Sequence, residues 1–150
     1  MRAVLLTRPL PSATELQAQL QHAGLTVLHF PTLALQSVVQ AEHEAMVRAH
    51  WAQYTGIIIV SQHAAHFAHT HLQRLHLVLP EQVWLGAVGQ GTLSTLKQLW
   101  PEHAAFITPN AADSQDSEGL WRAICTHQKH LSSAPAGKLL LIRAQTGRDL

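Results

Sequence analysis

Three hydroxyl residues stand where helices are expected to begin: Ser61, Thr92 and Ser117. Three arginines, Arg8, Arg143 and Arg148, each follow a short apolar run. A hydroxyl at a helix start accepts from a backbone N–H that the helix leaves unmatched. The same N–H groups, with the helix dipole behind them, bind carboxylate or phosphate. Arginine adds a planar fork that meets either anion with two parallel hydrogen bonds. Residue types of this kind, gathered at strand ends, describe a binder of a polyanionic ligand. The competing reading gives them capping and loop-fixing roles alone.

Other chemistries find less support. Gly89-Gln90-Gly91 begins a dinucleotide fingerprint, but the third glycine would fall at position 94, which is Ser94. His63, His66 and His69 lie three apart on an expected helix, with His71 and His76 beyond. Neighbours three apart share a face, yet the series drifts round the helix. No acidic residue lies between Gly56 and Pro80 to complete a metal shell. A solvated His-rich face is therefore favoured over a metal site. Ser61 has no GxSxG elbow. Cys125 falls mid-helix, where nothing lowers its pKa, and reads as structural. Asp113, Asp116 and Glu118 cluster just ahead of a helix, whose positive end favours acids.

The elements that position these residues alternate. Apolar runs at 3–6, 25–30, 57–60, 83–88, 105–108 and 138–142 read as strands. Helical spacing lies at 12–23, 42–54, 62–77, 91–99 and 117–130. Ser12 with Glu15 forms a capping box, and Gly24 ends that helix. Gly56 is expected to break the chain before the strand at 57–60. Residues 31–40 read as a connector. Such alternation gives an α/β, parallel sheet with helices on both faces. Ligands then bind beyond the carboxyl ends of the strands. The loops in question are 7–9, 61–63, 89–92, 108–113 and 143–148. On pattern alone, five or six strands would form one doubly wound sheet.

Composition excludes several classes. The chain has 150 residues, 47% hydrophobic and 13% charged, with formal net charge +1. It can build a core, and bulk charge offers nothing to nucleic acid or to a membrane surface. The single cysteine allows no internal disulfide and fits a reducing compartment. Apolar runs are far too short to span a bilayer. A soluble, cytoplasmic protein is expected. The 12 histidines would add positive charge as pH falls toward about 6.5.

Taken in order, the loops resemble one family. VLLTRPLPSATELQAQLQHAGLTVLHFPTLAL resembles the opening of uroporphyrinogen-III synthases. YTGIIIVSQHAAHF is similar to that family's (F/Y)D-hydrophobic-TS-x-NAV pattern. WLGAVGQGTLSTL, SEGLW and GKLLLIRAQTGRDL follow in the family's order, the last near GxxxLxxRGxxGRxxL. The resemblance implies a cofactor-independent lyase of tetrapyrrole and heme biosynthesis. Such an enzyme takes hydroxymethylbilane, a linear tetrapyrrole with eight carboxylates. It removes water, inverts the terminal pyrrole ring and closes the macrocycle to uroporphyrinogen III. Two similar domains hold the substrate, and positioning matters more than strong acids or nucleophiles.

Residue by residue, the resemblance gives substrate-binding roles to Thr7, Arg8, Ser61, Gly89, Thr92, Ser117, Arg143 and Arg148. Glu118, Gly119 and Gly147 stand in the same motifs. Val60 replaces a common threonine, and Ala144 replaces the glycine after Arg143. The resemblance also implies a domain plan. Residues 1–34 would be a βαβ fragment of the first domain. Residues 35–150 would be a flavodoxin-like second domain lacking its final helix and strand. Pairing of the strand at 3–6 with that at 57–60 would instead favour one compact domain. The family's helper tyrosine has no counterpart, because Tyr54 belongs to another motif. Weak or absent cyclase activity is therefore expected of these 150 residues, with a non-catalytic polyanion or partner-binding module as the alternative. A monomer is expected of a completed chain, and aggregation or pairing of a shorter one.

Overall fold

The computed structural model describes residues 3–9, 13–130 and 137–144. Expectations for Ser12, Gly147 and Arg148 lie outside the described residues. The chain divides into two units, Met1–Ser37 and Val38–Leu150.

In the first unit, β1 (Ala3–Leu6) and β2 (Thr26–His29) pair in parallel, with α1 (Thr14–His22) between them in sequence. Leu6 and Ala13 are buried. Leu5 and Leu28 are register partners and both are exposed. They mark one face of this small sheet as open. Residues 33–40 carry no regular structure.

The second unit begins with α2 (Ala41–His50) and a single tight turn at Trp51–Gln53. Then come β3 (Tyr54–Ile59), α3 (Gln62–Arg74), β4 (Trp84–Ala87), α4 (Gln90–Leu99), β5 (Phe106–Ile107), α5 (Ser117–His130) and β6 (Lys138–Ile142). Its four strands are all parallel, in the order β5-β4-β3-β6. The chain steps outward from β3 to β4 to β5, then returns to the other side of β3. That reversal puts α5 on the face opposite α3 and α4, because parallel crossovers keep one hand.

Side-chain alternation follows this plan. Ile57, Ile59, Leu85 and Ala87 pack with Ala64, Ala65 and Ala68 of α3 and Leu96 of α4. Trp84 and Ile107 point the other way and pack with Leu120 and Ile124 of α5. Tyr54 and Gly56 belong to β3 rather than to a helix and a break. The reason is a close approach: a Cβ on Gly56 would collide with the Trp84 indole. Glycine lets the ring lie flat across the neighbouring strand. On the α3 face, Glu44 of α2 bonds Arg74 at 2.6 Å, with His71 at 3.9 Å.

Replacing Gly56 with Ala is expected to cost about 1–3 kcal/mol through overpacking. Urea unfolding measures it, and an unchanged midpoint would contradict the packing of Trp84 over Gly56.

Candidate functional site

All four parallel strands of the second unit end on one side. Val60-Ser61, Val88-Gly89, Thr108 and Arg143 lie at those carboxyl ends. The order reverses between β3 and β6, and such a reversal is where open α/β sheets bind ligands. Three helix N-termini gather on the same side, and they differ in how their free N–H groups are satisfied.

Ser61 caps α3: its Oγ accepts from Ala64 N–H at 3.1 Å. The hydroxyl hydrogen remains available to a ligand. At α5 the cap is Asp116, not Ser117 as the sequence reading has it. Asp116 Oδ1 accepts from Gly119 N–H at 2.9 Å, and its other oxygen accepts from the Ser114 hydroxyl. The charge and two acceptor oxygens of Asp116 win the position. Ser117 becomes the first helical residue, exposed, and lines a groove beside the sheet. The Ser114 hydroxyl chiefly, and the Gly119 N–H next, hold the Asp116 carboxyl below the usual carboxylate range.

The start of α4 is different. Gly89 stands at the cap position with φ +78°, and no side chain caps the helix. Thr92, in the first turn, is only 6% exposed. Its hydroxyl makes no hydrogen bond among the described residues, whereas Thr95 one turn later donates to the Gly91 carbonyl at 3.0 Å. A further group approaches from α3. Gln62 lies over Gly91, so closely that a Cβ there would sit 2.6 Å from Nε2. Backbone N–H groups, the Thr92 hydroxyl and the Gln62 carboxamide thus lie close to one helix start. That set can hold a carboxylate.

Sequence reasoning missed Gln62, because its approach to Gly91 joins positions 29 apart in the chain. The glycine was the only local signal. Arg143 is exposed just past β6. In the first unit, Thr7 and Arg8 are exposed at the carboxyl end of β1. The Thr7 carbonyl accepts from Thr32 N–H at 3.2 Å, and the Arg8 carbonyl accepts from His29 Nε2 at 2.9 Å. Both residues are fixed through their backbone, leaving the side chains outward.

The His-rich helix α3 packs individually rather than as a ligand set. His69 meets Trp100 edge to face at 5.1 Å. His71 is held below its usual pKa, first by burial and then by Arg74. Among the described residues no three His, Cys, Asp or Glu side chains are grouped to hold a metal ion. No helix among them is long and apolar enough to cross a membrane.

A parallel α/β sheet with helices on both faces, in the order β5-β4-β3-β6, is consistent with a flavodoxin-like fold. The family model described as uroporphyrinogen-III synthase HemD matches residues 14–150. The chain belongs to the uroporphyrinogen-III synthase family.

Two predictions test the caps. Replacing Ser61 with Ala is expected to cost about 1 kcal/mol by loss of the α3 cap, read from thermal or urea unfolding. Asp116 has a lowered folded pKa, so its contribution is complete above the ordinary 3.8 and is lost as pH falls through the folded value. Hydrogen exchange at the Gly119 amide should accelerate over that acid window, relative to the Ala64 amide. Asp116→Ala should remove the difference, and an unaltered acid response in that variant would refute the assignment.

Proposed function

We propose that this chain binds hydroxymethylbilane through its carboxylates and serves the cyclisation to uroporphyrinogen III. In that reaction the hydroxymethyl carbon loses its oxygen as water. A new carbon–carbon bond closes the ring after the terminal pyrrole inverts. The observation that carries the reading is the start of α4. Its first N–H groups lack a side-chain cap, and Thr92 in that turn makes no side-chain hydrogen bond among the described residues, which leaves its hydroxyl to a ligand. One substrate carboxylate satisfies both. The Gln62 carboxamide supplies a third donor beside Gly91. Ser61 and Ser117, at neighbouring helix starts, and Arg143 are the next contacts in this reading. Thr7 and Arg8 are proposed to contact substrate from the end of β1, and Arg148 keeps the role that its motif implies.

This arrangement orients a flexible polyanion, which is most of what the reaction requires. The division of the chain is read in the same way. The two-stranded first unit is proposed as part of one family domain and the second unit as most of the other.

A second reading, binding without turnover, has one observation in its favour. Tyr54, the only tyrosine, is 6% exposed at the amino end of β3, opposite the loops described above. It is out of reach of anything bound there.

Hydroxymethylbilane supplied to the chain, with products resolved into isomers III and I, separates the readings. Excess isomer III supports turnover, and isomer I at the spontaneous rate supports binding alone. In either case Thr92→Val should weaken tetrapyrrole binding about tenfold or more, by removing a hydrogen bond to a charged group. Equal affinity of wild type and Thr92→Val would refute the α4 site.

A further inference from the structure

A pocket of about 490 Å³ lies between α4 and β5, the strand at one edge of the second sheet. Leu93 of α4 and Phe106 of β5 give it apolar walls. Lys97, His103 and Thr108 line it as well, and no acid is among its lining residues.

Phe106 organises two of these groups. The Lys97 ammonium stands over its ring, 5.8 Å from the centroid, and the His103 ring meets it edge to face at 5.5 Å. Ring contacts hold both groups without using up their hydrogen bonds. Lys97 makes no ion pair among the described residues. His103 Nε2 is buried and has no hydrogen-bond partner among them. Its backbone is pinned, because the His103 N–H donates to the Trp100 carbonyl at 3.1 Å. A buried ring nitrogen without a partner is costly, and the last torsion of a histidine is broad enough to turn it toward a ligand.

The strand edge adds donors. The Leu85 N–H donates to the Ala105 carbonyl at 2.8 Å, so Ala105 and Ile107 turn their backbone groups toward β4. The N–H groups of Phe106 and Thr108 therefore turn the other way, to the open edge. The Thr108 hydroxyl is already spent on the Pro109 carbonyl at 3.3 Å. A cation, an unmatched imidazole nitrogen and outward amides, with no acid lining the pocket, describe an anion site. The apolar walls favour an anion with an apolar body over a bare inorganic ion.

We propose that this pocket binds a carboxylate carried on a compact apolar body. The carboxylate meets Lys97 and a ring nitrogen of His103, and the body lies against Leu93 and Phe106. The site is distinct from the start of α4. Lys97 lies about 7.5 Å along the helix from Thr92, and none of Gly89, Gln90, Gly91 and Thr92 lines the pocket. The carboxylate belongs either to a free small acid or to a pendant chain of the larger ligand proposed above. Recognition is the same for both, and the inference does not rest on that reading.

The probe is benzoate, with benzamide as its uncharged control, titrated while backbone ¹H–¹⁵N spectra are recorded. Benzoate should give saturating shifts at Lys97, His103, Phe106 and Thr108, and should bind about tenfold or more tighter than benzamide. Lys97→Met keeps the apolar stem and removes the ammonium. It should weaken benzoate about tenfold, leave benzamide unchanged and preserve the urea midpoint, because Lys97 is exposed. His103→Phe keeps a ring beside Phe106 and should also weaken benzoate alone. Uroporphyrin I then distinguishes the sources. Affinity lost in Lys97→Met assigns the carboxylate to the larger ligand, and unchanged affinity assigns it to a free acid. Equal binding of benzoate and benzamide, no saturation at millimolar benzoate, or shifts centred on Gln90, Gly91 and Thr92 would overturn the proposal. So would benzoate binding that survives Lys97→Met.

Discussion

Parallel pairing is the constraint on which the second unit depends. Each strand must be entered from the same end, so every crossover carries a helix back along the sheet. The carboxyl ends of β3, β4, β5 and β6 therefore lie together, with the N-termini of α3, α4 and α5 close by. The hand of the crossovers then assigns α3 and α4 to one face and α5 to the other. Ile57 and Ile59 are buried by the first pair, while Ile58 turns toward α5 and the groove. The gathering of helix starts and the packing of both core faces follow from that one choice of strand direction.

The three helix starts share this setting and solve one problem differently. Each has donors that the helix itself leaves unmatched. At α3 a neutral hydroxyl answers, and at α5 a carboxylate does. At α4 the chain offers a glycine, leaving room for an anion from outside. Gln62, at the start of α3, lies close over Gly91 at the start of α4. Under the proposed function this gap has a meaning, because the proposed substrate is rich in carboxylates.

Much of this was legible in the sequence, and the failures have physical causes. The β-branched run Ile57–Ile59 could only be a covered strand, and Ser61 after it was a plain cap. Local pattern misjudged Gly56, because its reason is the Trp84 ring on another strand. It misjudged Ser117, because choosing between adjacent Asp116 and Ser117 depends on where Ser114 places its hydroxyl. Gln62 was invisible for the same kind of reason: contacts across many residues have no local periodicity. Ser61, Gly89 and Thr92 were found at strand ends because short loops and helix starts do have such a signature.

The most direct measurement is of the amides themselves. Backbone ¹H–¹⁵N spectra can be recorded while uroporphyrin I, a stable octacarboxylate, is titrated into the chain. The account predicts large, saturating shifts at Gln90, Gly91 and Thr92, with Ala64 and Gly119 little changed because Ser61 and Asp116 already hold them. Saturating shifts centred on Ala64 or Gly119, with the α4 amides unmoved, would contradict it.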